Sequence, residues 1–243
     1  SSIRGVAEMA RHLLMRLEAP LVAFGGETID NFGVIREFPA LSMITGLLAN
    51  ALGWRREEDE LHNDLQYRLR VGARLDRKSR RLTDFQTAQL GALDKVWTTR
   101  GEPEGRRGGK PTYAGPHLRY RDYHADLSML VALRLEPASQ SPILEDLAVA
   151  LDRPARPLFI GRKPCLPTAR IFAGWLEADN VLHALQTASP SPSDVDLPIQ
   201  WPEGEGVMEG AQRLDICDER NWFSGVHGGW RPVYQGYIRC QGD

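Results

Sequence analysis

Cysteine is scarce in this chain of 243 residues. The three cysteines, Cys165, Cys217 and Cys240, are odd in number and far apart, and no two of them have the spacing of metal ligands. This pattern argues against a disulfide-stabilised secreted domain and is typical of reduced thiols in a cytoplasmic protein. No Asp, Glu and His cluster has ligand spacing either, so we expect neither a metal nor another cofactor.

Long apolar runs are also absent. No run approaches the roughly 20 residues of a membrane-spanning helix, and the first residues lack the apolar segment of a secretory signal, so we expect no membrane partner. Residues 1–8 are interpreted as an expression remnant, because Met9 followed by a strand-like segment makes a natural start. The composition, 42% hydrophobic and 26% charged, is that of a globular protein with one large domain or two small ones.

Charge is unevenly distributed along the chain, although the net charge is only −2. Residues 68–121 hold fourteen Lys and Arg against five Asp and Glu, whereas residues 177–219 hold one base against ten acids. Aromatic residues lie among the bases, as in the segment from His117 to Tyr123. Guanidinium groups suit phosphates and aromatic rings suit unstacked bases, so this mixture favours binding of single-stranded RNA. A solvated, salt-bridged surface is the alternative interpretation.

The apolar pattern predicts an α+β fold. A strand over residues 12–24 precedes a helix over residues 42–52, which Ser42 caps and Gly53 ends. A short acidic helix follows over residues 57–65. Later in the chain, Ser141 and Pro142 are predicted to be the cap and first residue of another helix.

Two further segments alternate as strands do, with one apolar face each. The predicted core positions are Leu69, Val71, Ala73 and Leu75 in the first, and Met129, Val131, Leu133 and Leu135 in the second. On the opposite face of the first strand, Arg68, Arg70 and Arg74 predict a basic surface. A short last strand is predicted over residues 156–161.

The order of elements is the βαββαβ pattern of ferredoxin-like, RRM-like RNA-binding modules. Residues 9–175 are predicted to form this domain, and residues 176–243 a small β-rich C-terminal region. Residues 77–123 replace what would otherwise be a tight hairpin. A long, basic, Gly- and Pro-rich insertion of this kind is usually functional or disordered.

Two motifs suggest specific RNA contacts. Gly161 allows close backbone approach and is followed at once by Arg162 and Lys163, which suits a phosphate nest; a turn with solvated cations is the alternative. Gln86, within the insertion, has an amide that could read base edges, or is simply a polar position on a strand.

A catalytic alternative rests on two histidines. His117 and His124 could serve as acid and base for RNA cleavage. Their odd separation puts them on opposite faces of an extended strand, so joint catalysis requires a bulge. A metal-independent endoribonuclease is therefore the second function considered, and a small-molecule enzyme on the same fold has no supporting constellation.

Several segments together resemble one family. They are residues 23–26 (AFGG), 38–48 (FPALSMITGLL), 82–87 (LTDFQT), 119–123 (RYRDY) and 159–165 (FIGRKPC). In this order they are similar to the CasD subunits of the type I-E CRISPR surveillance complex, Cascade, in the RAMP superfamily. The resemblance covers most of residues 9–175.

The resemblance implies a ferredoxin-like palm with a long β-hairpin thumb that together hold the 5′ handle of the CRISPR RNA. It implies a non-enzymatic subunit in antiviral defence, capping a filament of backbone subunits beside a large subunit, and meeting target DNA only through the complex. Family binding positions fall on Arg121, Phe159 and residues 161–163. With those suggested by charge and motif, the candidate RNA-binding residues are Ser42, Gln86, Arg106, Arg107, Arg119, Tyr120, Arg121, Phe159, Gly161, Arg162 and Lys163.

Overall fold

The computed structural model describes residues 9–29, 32–89, 96–97, 103–104, 115–188 and 196–239. Residues 1–8, interpreted as an expression remnant, and the candidates Arg106 and Arg107 lie outside these ranges. Within them the chain has the α+β fold that the sequence predicts, with helices against one large sheet. No helix in the described part of the chain is both long enough and apolar enough to cross a membrane.

The elements follow in chain order. The strands are β1 (Ala10–Val22), β2 (Gly25–Ile29), β3 (Phe32–Ile35), β4 (Leu69–Arg77), β5 (Arg80–Ala88), β6 (Val96–Trp97), β7 (Pro103–Glu104), β8 (His117–Leu135), β9 (Phe172–Ala178), β10 (Asp196–Pro202), β11 (Gln212–Ile216) and β12 (Arg231–Arg239). The helices are α1 (Leu41–Leu52), α2 (Asp59–Arg68), α3 (Leu144–Asp152) and α4 (Val181–Thr187).

The centre of the sheet has the order β9-β1-β8-β4, and each neighbouring pair is antiparallel. Beyond β4 the sheet continues through β10, β12 and β11, so the C-terminal strands extend the same sheet. The inserted residues begin and end as two paired strands. Arg80 lies opposite Ala125 and Ala88 opposite His117, which makes β5 and the first half of β8 the arms of a hairpin.

One face of the sheet is covered by α1 and α3. Every predicted core position of β4 and β8 is buried there, as the period of two requires. Helix α1 contributes the stripe of Ile44, Leu47, Leu48 and Ala51. Full burial of each of these leucine and isoleucine side chains stabilises the fold by about 1.5–3 kcal/mol.

The other face carries a second core, built from α4, β10 and β12 around Trp201. The prediction of a basic surface is partly wrong, because two of its three arginines are buried. Arg68 and Arg74 are only 1% and 0% exposed. The Arg74 guanidinium forms a salt bridge with Asp76 and donates to the carbonyls of Leu185 and Ala188 at the end of α4. Only Arg70 of the three is partly exposed.

Arg68 is not on the strand at all, since α2 continues through it. Its guanidinium donates to the carbonyls of Pro137, Gln140, Ser141 and Pro142 in the loop before α3. An arginine with five donors can satisfy such a cluster of acceptors, which explains how the charge is tolerated inside the protein.

The predicted helix caps are only partly right. Gly53 ends α1 with φ 84°, as predicted. Ser42 lies inside the helix and makes no cap, because Asp218 from the C-terminal segment occupies that role. Ser141 does not cap α3 either: the helix begins at Leu144, and Asp146 accepts from the Ile143 N–H.

The strand predicted over residues 156–161 is wrong. The Ile160 N–H donates to the carbonyl of Cys165 in a tight turn, and the Ile160 carbonyl accepts from Ala23 beyond the end of β1. The fourth strand of the central sheet is β9 instead, paired with β1. Short apolar runs of this kind are the least reliable strand signals.

Candidate nucleic-acid interface

The arms of the hairpin present two chemically different faces. Because β5 and β8 pair in unbroken register from residues 80 and 125 to residues 88 and 117, alternate side chains point to opposite sides. Tyr120 and the arginines on either side of it, Arg119 and Arg121, are therefore separated onto different faces. The sequence placed these three side chains in one mixed motif.

The face with Tyr120 is aromatic. The Tyr120 ring lies between Phe32 and Phe85, with centroid distances of 5.0 and 5.2 Å. Both phenylalanines are 53% exposed. Further along this face, Asp122 forms a salt bridge with Arg81 and accepts from Thr83, and both contacts hold the pKa of Asp122 below its usual value.

The face with Arg121 is polar and basic. Arg121 Nε donates to Gln86 Oε1 at 3.3 Å, and Gln86 Nε2 donates in turn to Asp84. Gln86, Arg121, His117 and Arg119 line one shallow concavity. The hydrogen bond from Arg121 thus holds the Gln86 amide on the basic face.

Arg121 and Arg162 converge above Gly33 of β3. A methyl group placed on Gly33 would stand 2.9 Å from Arg162 Nη2 and 3.7 Å from Arg121 Nη1. In the described part of the chain neither arginine has a carboxylate within salt-bridge distance. Two guanidinium groups so placed repel each other, and a bound phosphate would offset that repulsion.

Arg162 is also anchored to the fold. Its guanidinium donates to the carbonyls of Asp122 at 2.9 Å and Gly33 at 3.1 Å, and lies 4.9 Å from the centre of the Tyr123 ring. The preceding Gly161 has φ 90°, and a Cβ there would collide with the Ala23 carbonyl at 1.7 Å. The close backbone approach predicted for this glycine is therefore to the chain's own β1. Lys163, next in sequence, is exposed.

Arg162 also borders a groove of about 370 Å³. One wall is the outer side of α1, with Ser42, Met43 and Gly46, and another is Leu158 and Phe159. Of the described candidates, Ser42, Phe159, Gly161 and Arg162 line this groove, and Gln86, Arg119 and Arg121 line the concavity on the hairpin. Arg162 and Arg121, converging at Gly33, join the two into one surface. Tyr120 lies on the opposite face, and Lys163 lines neither.

The third wall of the groove was not predicted. It comes from the C-terminal segment, through Arg220, Trp222 and His227. Gln66 holds this segment by accepting from the Arg220 N–H and the Trp222 indole and donating to the Arg220 carbonyl. A sequence signal existed in Gly46, a glycine inside α1 that faces this segment and whose Cβ would stand 3.6 Å from Trp222.

The two histidines do not form a catalytic pair. They occupy opposite faces of β8, whose register in this region has no bulge. His124 bridges the Arg36 carbonyl at 2.7 Å and the Ser79 hydroxyl at 2.8 Å, and packs against Phe24. Both ring nitrogens are thus occupied by contacts within the chain, which is the arrangement of a structural histidine.

Reactive groups of other kinds are few in the described residues. No group of three or more His, Cys, Asp and Glu there could hold a metal ion. Burial raises the pKa of the Cys165 thiol, which disfavours the thiolate that nucleophilic chemistry needs. The concavity and the groove offer guanidinium groups, an amide, two imidazoles and aromatic surface, which are groups that can contact phosphates and bases.

Sequence comparison relates this geometry to known proteins. The family model described as CRISPR-associated protein (Cas_Cas5) matches residues 12–234. The chain is 27% identical over 187 residues to the CRISPR system Cascade subunit CasD of Escherichia coli (strain K12), covering 77% of this chain and 81% of that protein.

Solved structures show a shared fold. A chain of a CRISPR RNA-guided surveillance complex has a TM-score of 0.65 at 19% identity, covering 94% of this chain and 90% of that one. A crystal structure of a Cas protein has a TM-score of 0.60 at 24% identity, covering 94% and 95%. The shared fold spans the hairpin, the central sheet and the C-terminal strands alike.

Proposed function

Because the chain belongs to the family of CRISPR-associated Cas5 proteins, we propose that it is a non-catalytic, RNA-binding subunit of a Cascade-type surveillance complex. In this role it holds the 5′ handle of the CRISPR RNA and caps the filament of backbone subunits in antiviral defence. Its partners are the CRISPR RNA, the backbone subunit and the large subunit, and it meets target DNA only through the complex. It works in the cytoplasm.

The observation that carries the proposal is the convergence of Arg121 and Arg162 above Gly33. Two guanidinium groups that converge with no salt-bridged carboxylate among the described residues suit a phosphate, and phosphate contacts supply most of the affinity of proteins for nucleic acids. The concavity on one side and the groove on the other extend this site in two directions. A strand of several nucleotides suits such a surface better than a single small anion.

The topology of the sheet is the basis for assigning a palm and a thumb. The order β9-β1-β8-β4 and its antiparallel pairing support a ferredoxin-like palm. The paired arms of β5 and β8 support a thumb that projects from the palm. RNA then lies in the angle between palm and thumb, where Gly33, Arg121 and Arg162 meet.

The alternative function, cleavage of the repeat RNA, has weaker support. It would need one histidine to act with a tyrosine or lysine, since His117 and His124 face apart and His124 is engaged at both nitrogens. The relative of matching length is named as a subunit of Cascade, which is consistent with a structural role.

Copurification with sibling subunits tests the proposal. The chain is coexpressed with the neighbouring CRISPR-associated subunits and a repeat array, the complex is isolated through a tag on a sibling, and bound RNA is sequenced. We expect RNAs that share one repeat-derived 5′ segment, protected by this chain. An assembled complex whose RNA lacks that segment, or whose 5′ segment is equally protected without this chain, contradicts the proposal.

A matched pair of variants sharpens this test. Arg121→Ala with Lys163→Ala removes two cations near the site, whereas Arg170→Ala with Arg213→Ala removes two exposed, salt-bridged arginines elsewhere on the surface. The first pair should lower recovered handle RNA by about tenfold or more, as loss of charge-assisted contacts does. Equal losses for both pairs would indicate a general charge effect.

A further inference from the structure

A second pair of arginines converges at Gly225, next to the C-terminal wall of the groove, which Arg220 of this pair lines. A methyl group placed on Gly225 would stand 3.1 Å from Arg220 Nη2 and 3.7 Å from Arg56 Nη2. The two guanidinium groups therefore flank the same small volume. In the described residues neither one has a carboxylate within salt-bridge distance.

Arg220 is poorly compensated by the protein. Its Nε is buried and has no hydrogen-bond partner. Burial, and then the charge of Arg56, lower the pKa of Arg220. The neighbouring acids do not relieve it, since Asp218 is bound to Arg231, and Glu219 interacts electrostatically with Arg231 as well. A buried donor of a charged group that lacks a partner is destabilising, and an anion bound to this guanidinium would offset that cost.

The space beside Arg220 is apolar and of limited size. Arg220 and Arg162 both border the groove, and between them its lining includes Met43, Leu158 and Phe159. A volume of about 370 Å³ falls at the small end of the range for ligand pockets, roughly 300–1,000 Å³. The groove thus combines an anion site with a mostly apolar cavity for one small group.

We propose that this groove receives one unstacked nucleotide of a single-stranded RNA, with a phosphate held between Arg56 and Arg220 and the base against Phe159. The inference rests on the proposed RNA-binding function and adds the C-terminal segment to it. A nucleotide matches the site because it carries an anion next to a flat aromatic body. An acidic peptide supplies the anion without that body.

The first experiment measures affinity and its salt dependence. The full chain is titrated into a labelled single-stranded RNA copied from the CRISPR repeat of the source genome, over a series of NaCl concentrations. Arg220→Gln should weaken binding about tenfold, and Arg56→Gln with Arg220→Gln should reduce the slope of log K against log salt by about 0.7 for each phosphate that is no longer neutralised. Arg55→Gln removes the same charge one residue away and should change affinity less than twofold.

These variants should fold, because backbone groups rather than the substituted side chains hold the C-terminal segment in place. The segment docks through the N–H and carbonyl of Arg220, both bound to Gln66, so a change of the side chain leaves it attached. Unchanged melting temperatures confirm this. Binding by the double variant within twofold of Arg55→Gln overturns the proposal.

The second experiment locates the base. RNAs with a single abasic position are scanned against the wild type and against Phe159→Ala. At one position the abasic change should weaken RNA binding by the wild type about tenfold, as the loss of base–aromatic stacking does. The same abasic RNA should bind Phe159→Ala as tightly as the intact RNA does, because the stacking partner is already missing. Additive losses at every position overturn the proposed base contact and leave an anion site that an acidic peptide could equally occupy.

These results also separate this inference from the function on which it rests. If wild-type protein binds the RNA and Arg121→Ala weakens that binding while the Arg56 and Arg220 variants do not, only the second site fails. If the wild type shows no salt-dependent RNA binding, alone or with sibling subunits, both proposals fail.

Discussion

Asp218 caps helix α1 by accepting a 3.0 Å hydrogen bond from the N–H of Leu41, a residue 177 positions earlier in the chain. The Asp218 carbonyl also accepts from the Ser42 N–H, and its carboxylate forms a two-point salt bridge with Arg231. This buried aspartate satisfies two of the four helix N–H groups that have no partner within α1. It thereby ties the C-terminal segment to the wall of the groove.

Asp218→Ala should lower the free energy of unfolding by about 3–5 kcal/mol, because it removes the two-point salt bridge of the mostly buried Arg231 as well as the cap. Urea denaturation measures this loss. Asp218→Asn retains an acceptor for the Leu41 N–H and should lose less. A loss below about 1 kcal/mol in the alanine variant would show that water replaces the carboxylate at little cost.

Arg68→Lys should destabilise the protein by about 2–4 kcal/mol despite keeping the charge. A single ammonium cannot reach the four carbonyls of residues 137–142 that the guanidinium now serves. The control is Arg70→Lys, since Arg70 is partly exposed and donates to only two carbonyls. Comparable midpoints in urea for the two variants would refute this account.

His12 makes stability depend on pH. It is fully buried, and burial lowers its pKa from the usual value near 6.5, while Glu205 and Glu177 oppose and Arg134 reinforces the shift. Below pH 6.5 the unfolded chain therefore binds a proton that the folded chain refuses. Stability contributed by neutral His12 is complete above 6.5 and falls as pH drops below it, by at most about 1.4 kcal/mol per pH unit.

Replacement of His12 by Gln should flatten this dependence. The measurement is the free energy of unfolding between pH 5 and pH 7.5 for both proteins, with His183→Gln as the control, since His183 is partly exposed beside Asp179. Parallel curves for wild type and His12→Gln would assign the acid sensitivity to other groups.

Arg121→Ala should weaken binding of handle RNA by about 1–3 kcal/mol, a typical loss for a charge-assisted hydrogen bond. Arg170→Ala is the control, because Arg170 is exposed and forms a salt bridge with Asp152. Fluorescence anisotropy at fixed salt gives both values. Unaltered affinity in Arg121→Ala, with the fold intact, would remove the central support for the phosphate site above Gly33.

The isolated protein should not cut repeat RNA, and His117→Ala and His124→Ala should leave RNA processing unchanged. Because His124 bridges residues 36 and 79, its replacement should lower the melting temperature while that of His117 should not. Incubation with labelled repeat RNA tests the first part, and thermal unfolding the second. A specific cleavage product that either substitution abolishes would establish the endoribonuclease instead.

Local pattern predicted the parts of the fold that depend on one strand or helix alone. The apolar positions of β4 and β8 follow from a period of two, and Gly53 from the left-handed conformation that ends a helix. The same reasoning failed for Arg68 and Arg74, since what buries them arrives about 70 and 110 residues later. The sequence alone does not show that a basic side chain will donate to the carbonyl of a residue far along the chain.

The candidate site divides in the same way. Arg121, Gln86 and Arg162 could be proposed as candidates from the sequence, because charge and turn chemistry are local properties. Arg220 and Trp222 were missed, since they lie just beyond the acidic residues 177–219, and their hydrogen bonds to the distant Gln66 cannot be read from the sequence. The separation of Tyr120 from its arginine neighbours follows from the alternation of side chains along β8, so it can be predicted once this segment is treated as a strand.

Dependence of α1 on Asp218 has a temporal consequence during protein synthesis. A chain emerging from the ribosome completes the β1–α1 region long before residue 218 is translated, so the first turn of α1 stays uncapped until then. The groove likewise has no third wall until Trp222 is made. The helix cap and the groove wall are therefore completed only when residues 218–222 fold onto elements that were translated long before them.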